Sequence, residues 1–555
     1  MTIHLPAGTR AADTLIDEHV VRRTWDRDIS VWRAAPGSAD AKSIETRLGW
    51  LDVARTTAPE IDRVVALGDA AKREGIRAVY LLGMGGSSLC AEVMRSVFGV
   101  AEGYPNLSVL DTTDERTITS AAARLEPRQS LFLVSSKSGG TVEVSSMERF
   151  FWKRMTATLG NQAGRHFVAI TDPATALQKL AESRGYREVF LNPPDIGGRF
   201  SALSLFGLVP AALIGAPVEA IAAGGKAMAE GCRQENHANS GLELGAFIGA
   251  AVQERRDKLT IALSPRLASL GLWIEQLIAE STGKQGTGAL PVVDEPLGRP
   301  DEYGQDRAFV AIATDVDEPD ADKLRAIEAA GHPVLRLTRR IDGLGAEFFR
   351  WEFATAIAGA VLGINPFDEP NVSEAKEKTK ALLAAYTADG KLPEPAPAAE
   401  NDSVTVFSKK FSGTAPAGVI RSAVASLRAG DYVAFLSYLP AESDVQTAIA
   451  EVRQAIRARA HVASTFGVGP RYLHSTGQYH KGGPNTALAF VMTADDETAT
   501  EIPEAGSTFS VLKRAQALGD VQTLEAHDRR TVRLHVKDAN AAARTLEHIF
   551  AEAFK

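Results

Sequence analysis

The stretch that most constrains this chain is Tyr80-Leu-Leu-Gly-Met-Gly-Gly-Ser-Ser-Leu89, an apolar run that stops at three glycines and two hydroxyl residues. A helical pattern follows at once. A short apolar run closed by glycines reads as a buried parallel strand feeding a tight turn and a helix N-terminus. Glycines let backbone N–H groups approach an anion. The first turn of a helix leaves donors unpaired, and its dipole favours negative charge. The stretch therefore predicts a phosphate cradle around Gly86 and Ser87, with an ordinary packed βα turn as the competing reading. The spacing is not that of a dinucleotide fingerprint, and no acidic residue stands where a ribose would need one.

The same rhythm continues on both sides. Strands are expected at Ala78–Leu82, Leu107–Leu110, Ser130–Ser135, His166–Thr171 and Glu188–Leu191, with helical stretches such as Val142 to Leu159 between them. A second series covers Leu259–Ser264, Leu290–Val293, Phe309–Thr314 and Val334–Thr338. Strands alternating with helices imply a doubly wound parallel sheet, on which ligands bind at the carboxyl ends of the strands. The expected fold class is α/β, with two tandem doubly wound units and a smaller C-terminal α/β or α+β domain. The expected boundaries are a helical lead-in over 1–58, units over 59–235 and 236–388, a Pro- and Ala-rich linker over 389–402, and a last domain over 403–555. Trp25, Trp32 and Trp50 of the lead-in are expected to dock on the next domain.

Composition removes several classes. The net charge is −8 and 23 % of residues are charged. Generic nucleic-acid binding needs a basic face and is disfavoured, whereas a local pocket for one phosphate is compatible. The two cysteines, Cys90 and Cys232, cannot make a disulfide framework, and a reducing compartment fits. No apolar run is long enough for a membrane span, and Met1 to Arg10 lacks the pattern of a secretory signal. A cytoplasmic protein is expected.

A second anchor is Val134-Ser-Ser-Lys-Ser-Gly-Gly-Thr-Val-Glu143. Another strand runs into a hydroxyl-rich turn and a helix. Ser136, Ser138 and Thr141 offer hydroxyl donors and Lys137 a compact cation, so two such turns supply the convergent donors a phosphate needs. Two helices with Ser/Thr caps are the bland alternative. The two stretches resemble the sugar-phosphate-binding motifs of the sugar isomerase (SIS) domain. Three later stretches narrow the resemblance to the phosphoglucose isomerase family: Gly197-Gly-Arg-Phe-Ser201, Ala279-Glu-Ser-Thr-Gly-Lys284 and Asn365-Pro-Phe-Asp-Glu-Pro-Asn-Val-Ser-Glu-Ala-Lys376. The resemblance covers about residues 60 to 385. The lead-in and the C-terminal block resemble the isomerase portion of fused transaldolase/phosphoglucose isomerase proteins.

The resemblance implies an enzyme that interconverts glucose 6-phosphate and fructose 6-phosphate without a cofactor or metal. Gly86, Ser87, Ser136, Lys137, Ser138 and Thr141 would hold the phosphate. Glu280 would be the general base; on residues alone it equally reads as half of a surface pair with Lys284. Arg199 would stabilise an enediolate. Lys376 would assist ring opening, although the family's Gly-Val-Glu-Leu-Gly-Lys stands here as Asn371-Val-Ser-Glu-Ala-Lys376. The family's histidine is missing between the glutamate motif and His332. A similar phrase, Leu473-His-Ser-Thr-Gly-Gln478, stands instead in the C-terminal block, which is expected to fold over the cleft and supply His474, with His480 as second candidate. The expected partners are a small sugar phosphate and a second copy in a homodimer, with no nucleic acid and no membrane. The rival readings are a non-catalytic sugar-phosphate-sensing regulator and an isomerase for another aldose phosphate, such as mannose 6-phosphate.

Overall fold

A computed structural model of the chain describes residues 6–340, 343–440 and 444–555. Met1 to Leu5, part of the stretch read above for a secretory signal, lie outside the described residues. The first unit is a five-stranded parallel sheet of β1 (Ala78–Leu82), β2 (Asn106–Leu110), β3 (Ser130–Ser135), β4 (Phe167–Thr171) and β5 (Glu188–Leu191), in the order β2-β1-β3-β4-β5. β1 and β3 are neighbours in register, Leu82 opposite Val134. Their carboxyl ends therefore open side by side, and the two hydroxyl-rich turns leave the sheet at adjacent points. β3 is buried along its whole length, as a central strand covered on both faces must be.

The second unit is a four-stranded parallel sheet of β6 (Lys258–Leu263), β7 (Leu290–Val292), β8 (Arg307–Thr314) and β9 (Val334–Arg339), in the order β7-β6-β8-β9. One hydrophobic core runs through the lead-in and both units. The apolar stretch after Ala202 forms two helices, Leu205–Leu213 and Val218–Gly231, broken around Gly215 and Pro217. The lead-in tryptophans are docked, but mainly on the helix Leu344–Leu362 of the second unit rather than on the unit that follows them in the chain. Trp25 stacks on Phe349 and Phe353, with ring centroids 6.0 and 6.1 Å apart, and donates from its indole N–H to the Cys232 carbonyl at 3.1 Å. Trp32 donates to the Ala356 carbonyl at 2.9 Å. Trp50 is fully buried between Phe200 and Phe349.

The C-terminal part is a mixed six-stranded sheet. Its strands are β10 (Ala399–Glu400), β11 (Val404–Phe407), β12 (Tyr432–Ser437), β13 (Ala463–Val468), β14 (Ala487–Ala494) and, after the short hairpin of β15 (Glu501–Ile502) and β16 (Ser507–Thr508), β17 (Arg530–Val536). The order is β10-β11-β17-β14-β12-β13, with parallel pairing from β17 to β13 and antiparallel pairing at the β11 edge. One face is closed by its own helices Pro416–Ala425, Val445–Ala460 and Ala542–Ala553. The other face packs Tyr432, Tyr438, Tyr472 and Tyr479 against Ala279, Leu290 and Val292 of the second unit. Ile502, Phe509 and Leu512 enter the core of the first unit, where Phe509 meets Phe150 edge-on at 5.6 Å. This domain therefore straddles both units, and the carboxyl end of β13 points its loop towards their cleft.

Candidate active site

Glycine makes the first cradle possible by close approach. After β1 the chain turns through Gly85–Ser87 before the helix Leu89–Phe98. Gly85 has φ +54°, and a Cβ there would stand 2.8 Å from the His474 carbonyl oxygen. A Cβ on Gly86 would stand 2.0 Å from the Gly198 carbonyl oxygen, so the cradle lies directly against the turn that carries Arg199. The second turn is tied to the first by the Ser135 hydroxyl, which donates to the Ser87 carbonyl at 2.9 Å. Within the second turn the Ser136 and Thr141 hydroxyls lie 3.1 Å apart. Thr141 then leads into the helix Val142–Leu159. Lys137 is placed differently from the hydroxyls. Its ammonium is held by the Asp172 carboxylate and by the Pro194 carbonyl at 2.9 Å. The hydroxyls of Ser136, Ser138 and Thr141 are thus the donors this turn presents.

Glu280 ends an apolar helix, Leu270–Thr282, and is 8 % exposed. Its carboxylate lies 3.6 Å from Arg199 Nη1 and accepts from Gln276 Nε2 at 3.1 Å. Burial pushes the carboxyl above the usual carboxylate range, against the pull of Arg199. The surface pair with Lys284 does not form. The helix ends at Thr282, and the buried Lys284 ammonium turns to the Asp368 carbonyl and carboxylate at 2.6 and 2.5 Å. Burial, with Arg199 nearby, brings this lysine down to about 8.

Arg199 uses nearly all of its fork. Nε donates to the Ser281 hydroxyl at 2.7 Å, Nη1 to Glu369 at 3.1 Å, and Nη2 to the carbonyls of Pro366 and Asp368 at 2.8 and 2.9 Å. Arg47 closes the other side of Glu369 at 3.0 Å. Burial alone would raise the Glu369 carboxyl, but Arg199 and Arg47 outweigh it and hold the group at about 2. Glu369 is therefore the permanent anion of this pocket. Glu280, with Arg199 shared, is the carboxylate that burial pushes towards holding a proton.

His474 reaches the cleft from the loop after β13. Its carbonyl accepts from the same Gln276 Nε2 that bonds Glu280, at 2.8 Å, so one amide ties base and histidine together. Its ring Nε2 meets Glu143 Oε1 at 3.0 Å. A carboxylate only accepts, so Nε2 carries the hydrogen and Nδ1 is the nitrogen left for other chemistry. Glu143 is buried, which raises its carboxyl, but His474 and then Lys376 outweigh this and keep it ionised below the usual range. Lys376 lies early in the helix Val372–Asp389. It lines a cavity of about 360 Å³ together with Ser138, Thr141, Glu143 and His474. His480 is placed elsewhere. It is buried with Nδ1 2.7 Å from the Tyr432 hydroxyl, and burial, with Lys481 and Arg529, pushes it down to about 3.

The expected site residues thus meet across three parts of one chain. Reasoning on the sequence did not single out Gln276, Glu143 or Glu369. Two carried a signal, since Gln276 precedes Glu280 by one helical turn and Glu143 closes the second hydroxyl-rich motif. Such a site can bind a phosphate at one end, exchange protons with oxygens through His474 and Lys376, and move a carbon-bound proton with Glu280 beside a fixed guanidinium.

Residues 54–299 match the family model described as phosphoglucose isomerase. The chain is 30 % identical over 394 residues to a glucose-6-phosphate isomerase of Mycoplasmopsis pulmonis, covering 60 % of this chain and 90 % of that protein. It is likewise 30 % identical over 401 residues to one from Heliobacterium modesticaldum, covering 60 % and 87 %. Among solved structures, a hypothetical protein of Thermus thermophilus superposes with a TM-score of 0.59 at 24 % identity, covering 69 % of this chain and 100 % of that one. A glucose-6-phosphate isomerase of Chlamydia trachomatis superposes at 0.52 and 20 % identity, covering 66 % and 78 %. These two likenesses concern the fold.

Proposed function

The chain belongs to the phosphoglucose isomerase family, and we propose that it runs that chemistry with groups drawn from both parallel-sheet units and the C-terminal domain of a single chain. It is an aldose–ketose isomerase that interconverts glucose 6-phosphate and fructose 6-phosphate. The observation that carries the assignment of roles is the Gln276 amide, which bonds the Glu280 carboxylate and the His474 carbonyl at once while Arg199 stands 3.6 Å from Glu280.

In this reading the phosphate is held by Ser87, Ser136, Ser138 and Thr141, with Gly86 allowing the backbone close. Lys137 shapes that turn through Asp172. His474, held at Nε2 by Glu143, takes the anomeric hydroxyl proton at Nδ1 while Lys376 gives one to the ring oxygen, and the C1–O5 bond breaks. Glu280 then removes the C2 proton of the open-chain aldose, and the electrons pass to the carbonyl oxygen. A cis-enediol forms, with Arg199 balancing its developing negative charge. Returning the proton at C1, in part after exchange with solvent on the Glu280 carboxyl, while the C2 hydroxyl proton passes to the C1 oxygen gives the ketose. Binding energy from the distant phosphate orients the carbon acid on the base. Every step is a proton transfer, so none draws on a metal or cofactor.

The same reading makes the protein a cytoplasmic enzyme of a small sugar phosphate, without nucleic acid or membrane, and keeps the homodimer and the kinship with fused transaldolase/phosphoglucose isomerase proteins as expectations. Net charge −8 supports it. Among the described residues no helix is long and apolar enough to cross a membrane. A coupled assay on glucose 6-phosphate and mannose 6-phosphate, run in deuterated water, tests it. Turnover of the glucose ester with deuterium entering at C1 or C2 is expected. Binding without turnover would leave a sensing protein, and preference for the mannose ester would reassign the substrate.

A further inference from the structure

The C-terminal domain supplies more to the cleft than His474. Its helix Phe509–Ala526 lies along the helix that carries Lys376, and it buries Gln516, which is 3 % exposed, against the first unit. Gln516 Nε2 donates to Glu143 Oε1 at 2.7 Å, and this is the same oxygen that receives His474 Nε2 at 3.0 Å. The amide cannot turn over. Its Oε1 accepts from the hydroxyl of Thr113 at 2.8 Å, and Thr113, just beyond the end of β2, is fully buried. We propose that Gln516 is a positioning residue for ring opening, orienting Glu143, and through it the imidazole of His474, by one charge-assisted hydrogen bond set by Thr113. This role rests on the assignment of His474 to ring opening.

The argument is one of geometry and count. A carboxylate with a single partner can swing about its terminal bond and take the imidazole with it. Two donors converging on one oxygen, from two separate segments of the C-terminal domain, fix that oxygen in place. The helix itself is held independently on both sides of Gln516. Lys513 bonds Asp114 at 2.8 Å and Asp496 at 2.5 Å. Asp520 accepts from the Tyr472 hydroxyl at 2.6 Å and pairs with Lys481 at 2.6 Å. Changing Gln516 therefore removes the donor to Glu143 without unpinning the helix.

Two variants separate the donor from its packing. Gln516→Met keeps length and volume but cannot donate, and Gln516→Glu sets an anion against Glu143. Each is assayed on ring-closed glucose 6-phosphate and on an aldotetrose 4-phosphate, whose phosphorylated O4 cannot close a ring. Gln516→Met is expected to lower kcat on the ring-closed sugar about tenfold or more, the scale of one hydrogen bond to a charged group, with KM nearly unchanged. Gln516→Glu is expected to lower it further, and both variants to keep the open-chain rate within about twofold. A wild-type ratio of the two rates in Gln516→Met would overturn the proposal, and so would an equal loss on both substrates, the mark of a merely structural role. Failure of the wild-type enzyme to turn over the ring-closed sugar would overturn the assigned reaction first and this role with it, a result distinct from either.

Discussion

Replacing Glu280 by Gln tests the base most directly, because the pocket is built to tolerate the change. The side chains are nearly isosteric. Gln276 can still donate to the new amide oxygen, as it does to the carboxylate at 3.1 Å. Arg199 loses a partner at 3.6 Å but keeps Ser281, Glu369 and two carbonyls. Burial already raises the Glu280 carboxyl, so its charge is costly to keep in this place, and its removal should change stability by less than about 1 kcal/mol. The amide cannot take a carbon-bound proton, and losing a positioned base costs about 10²- to 10⁴-fold in rate, or roughly 3–5 kcal/mol of barrier. The assay is exchange of the substrate C2 proton with deuterated solvent, followed by NMR. Calorimetric binding of a phosphorylated, non-isomerisable sugar serves as the control for an intact site. Exchange is expected to fall by that factor while binding stays within about threefold. In the wild type the rate should fall with acid, as pH drops through the raised Glu280 value and the base is protonated, and the residual rate of the variant should lack that limb. Exchange at the wild-type rate in Glu280→Gln would refute the assignment, and so would a loss matched by a loss of binding.

Ser87→Ala and Thr141→Val each remove a hydroxyl from the cradle and should weaken binding of a phosphorylated inhibitor by roughly 1.5–3 kcal/mol in calorimetry, with no equal loss for its unphosphorylated counterpart. Lys137→Met should act on the fold instead. Its ammonium partners Asp172, and the half-buried carboxylate left behind should reduce stability by about 1–3 kcal/mol in urea unfolding, with inhibitor affinity changed less than in Thr141→Val. Glu275→Gln probes a different pH dependence. Burial, reinforced by Asp294, pushes Glu275 up to about 8, so the folded protein holds a proton that the unfolded chain releases from about 4.5, and stability must fall as pH rises between those values, by ~1.4 kcal/mol per unit at most. Urea midpoints at pH 5 and pH 8 should therefore show the variant gaining on the wild type by up to a few kcal/mol at the higher pH, and a constant difference would disprove the raised value.

The first two sheets were legible because their strands are short apolar runs punctuated by glycine and hydroxyl residues. β1 and β3 begin and end where those signals stand. The C-terminal domain was harder for a physical reason. β13 reads Ala-Ser-Thr-Phe-Gly-Val, with little apolar pattern, yet it is an edge strand whose buried Ser464 is satisfied from outside it. Arg453 donates to the Ser464 hydroxyl at 3.2 Å and to its carbonyl at 2.9 Å. The helix Phe509–Ala526 hides its period in the same way. Lys513, Gln516 and Asp520 lie on its buried side, each matched by a charged or hydroxyl group of another element. Hydrophobic periodicity cannot report a buried face built from polar groups, because the compensation lies on other elements of the fold.

The site divides along the same line. The end proposed for the phosphate could be drawn from the sequence, since a strand, a glycine turn and a helix are contiguous and their geometry is local. The placement of His474 came only from a phrase similar to one that the family carries elsewhere in its order. Glu143 and Gln276 show why spacing alone would not have found its surroundings. Each is an ordinary polar residue on a helix until the fold brings His474 against it, 331 and 198 residues further along the chain. What makes Glu143 a partner for an imidazole is that burial, which by itself would neutralise a carboxyl, is outweighed by His474 and Lys376, both brought in from distant parts of the chain. The ionisation of this group is thus a property of the assembled cleft. A change that moves the C-terminal domain off the two sheets should silence ring opening before it disturbs the phosphate turns, which are closed within the first sheet by the bond from Ser135 to Ser87.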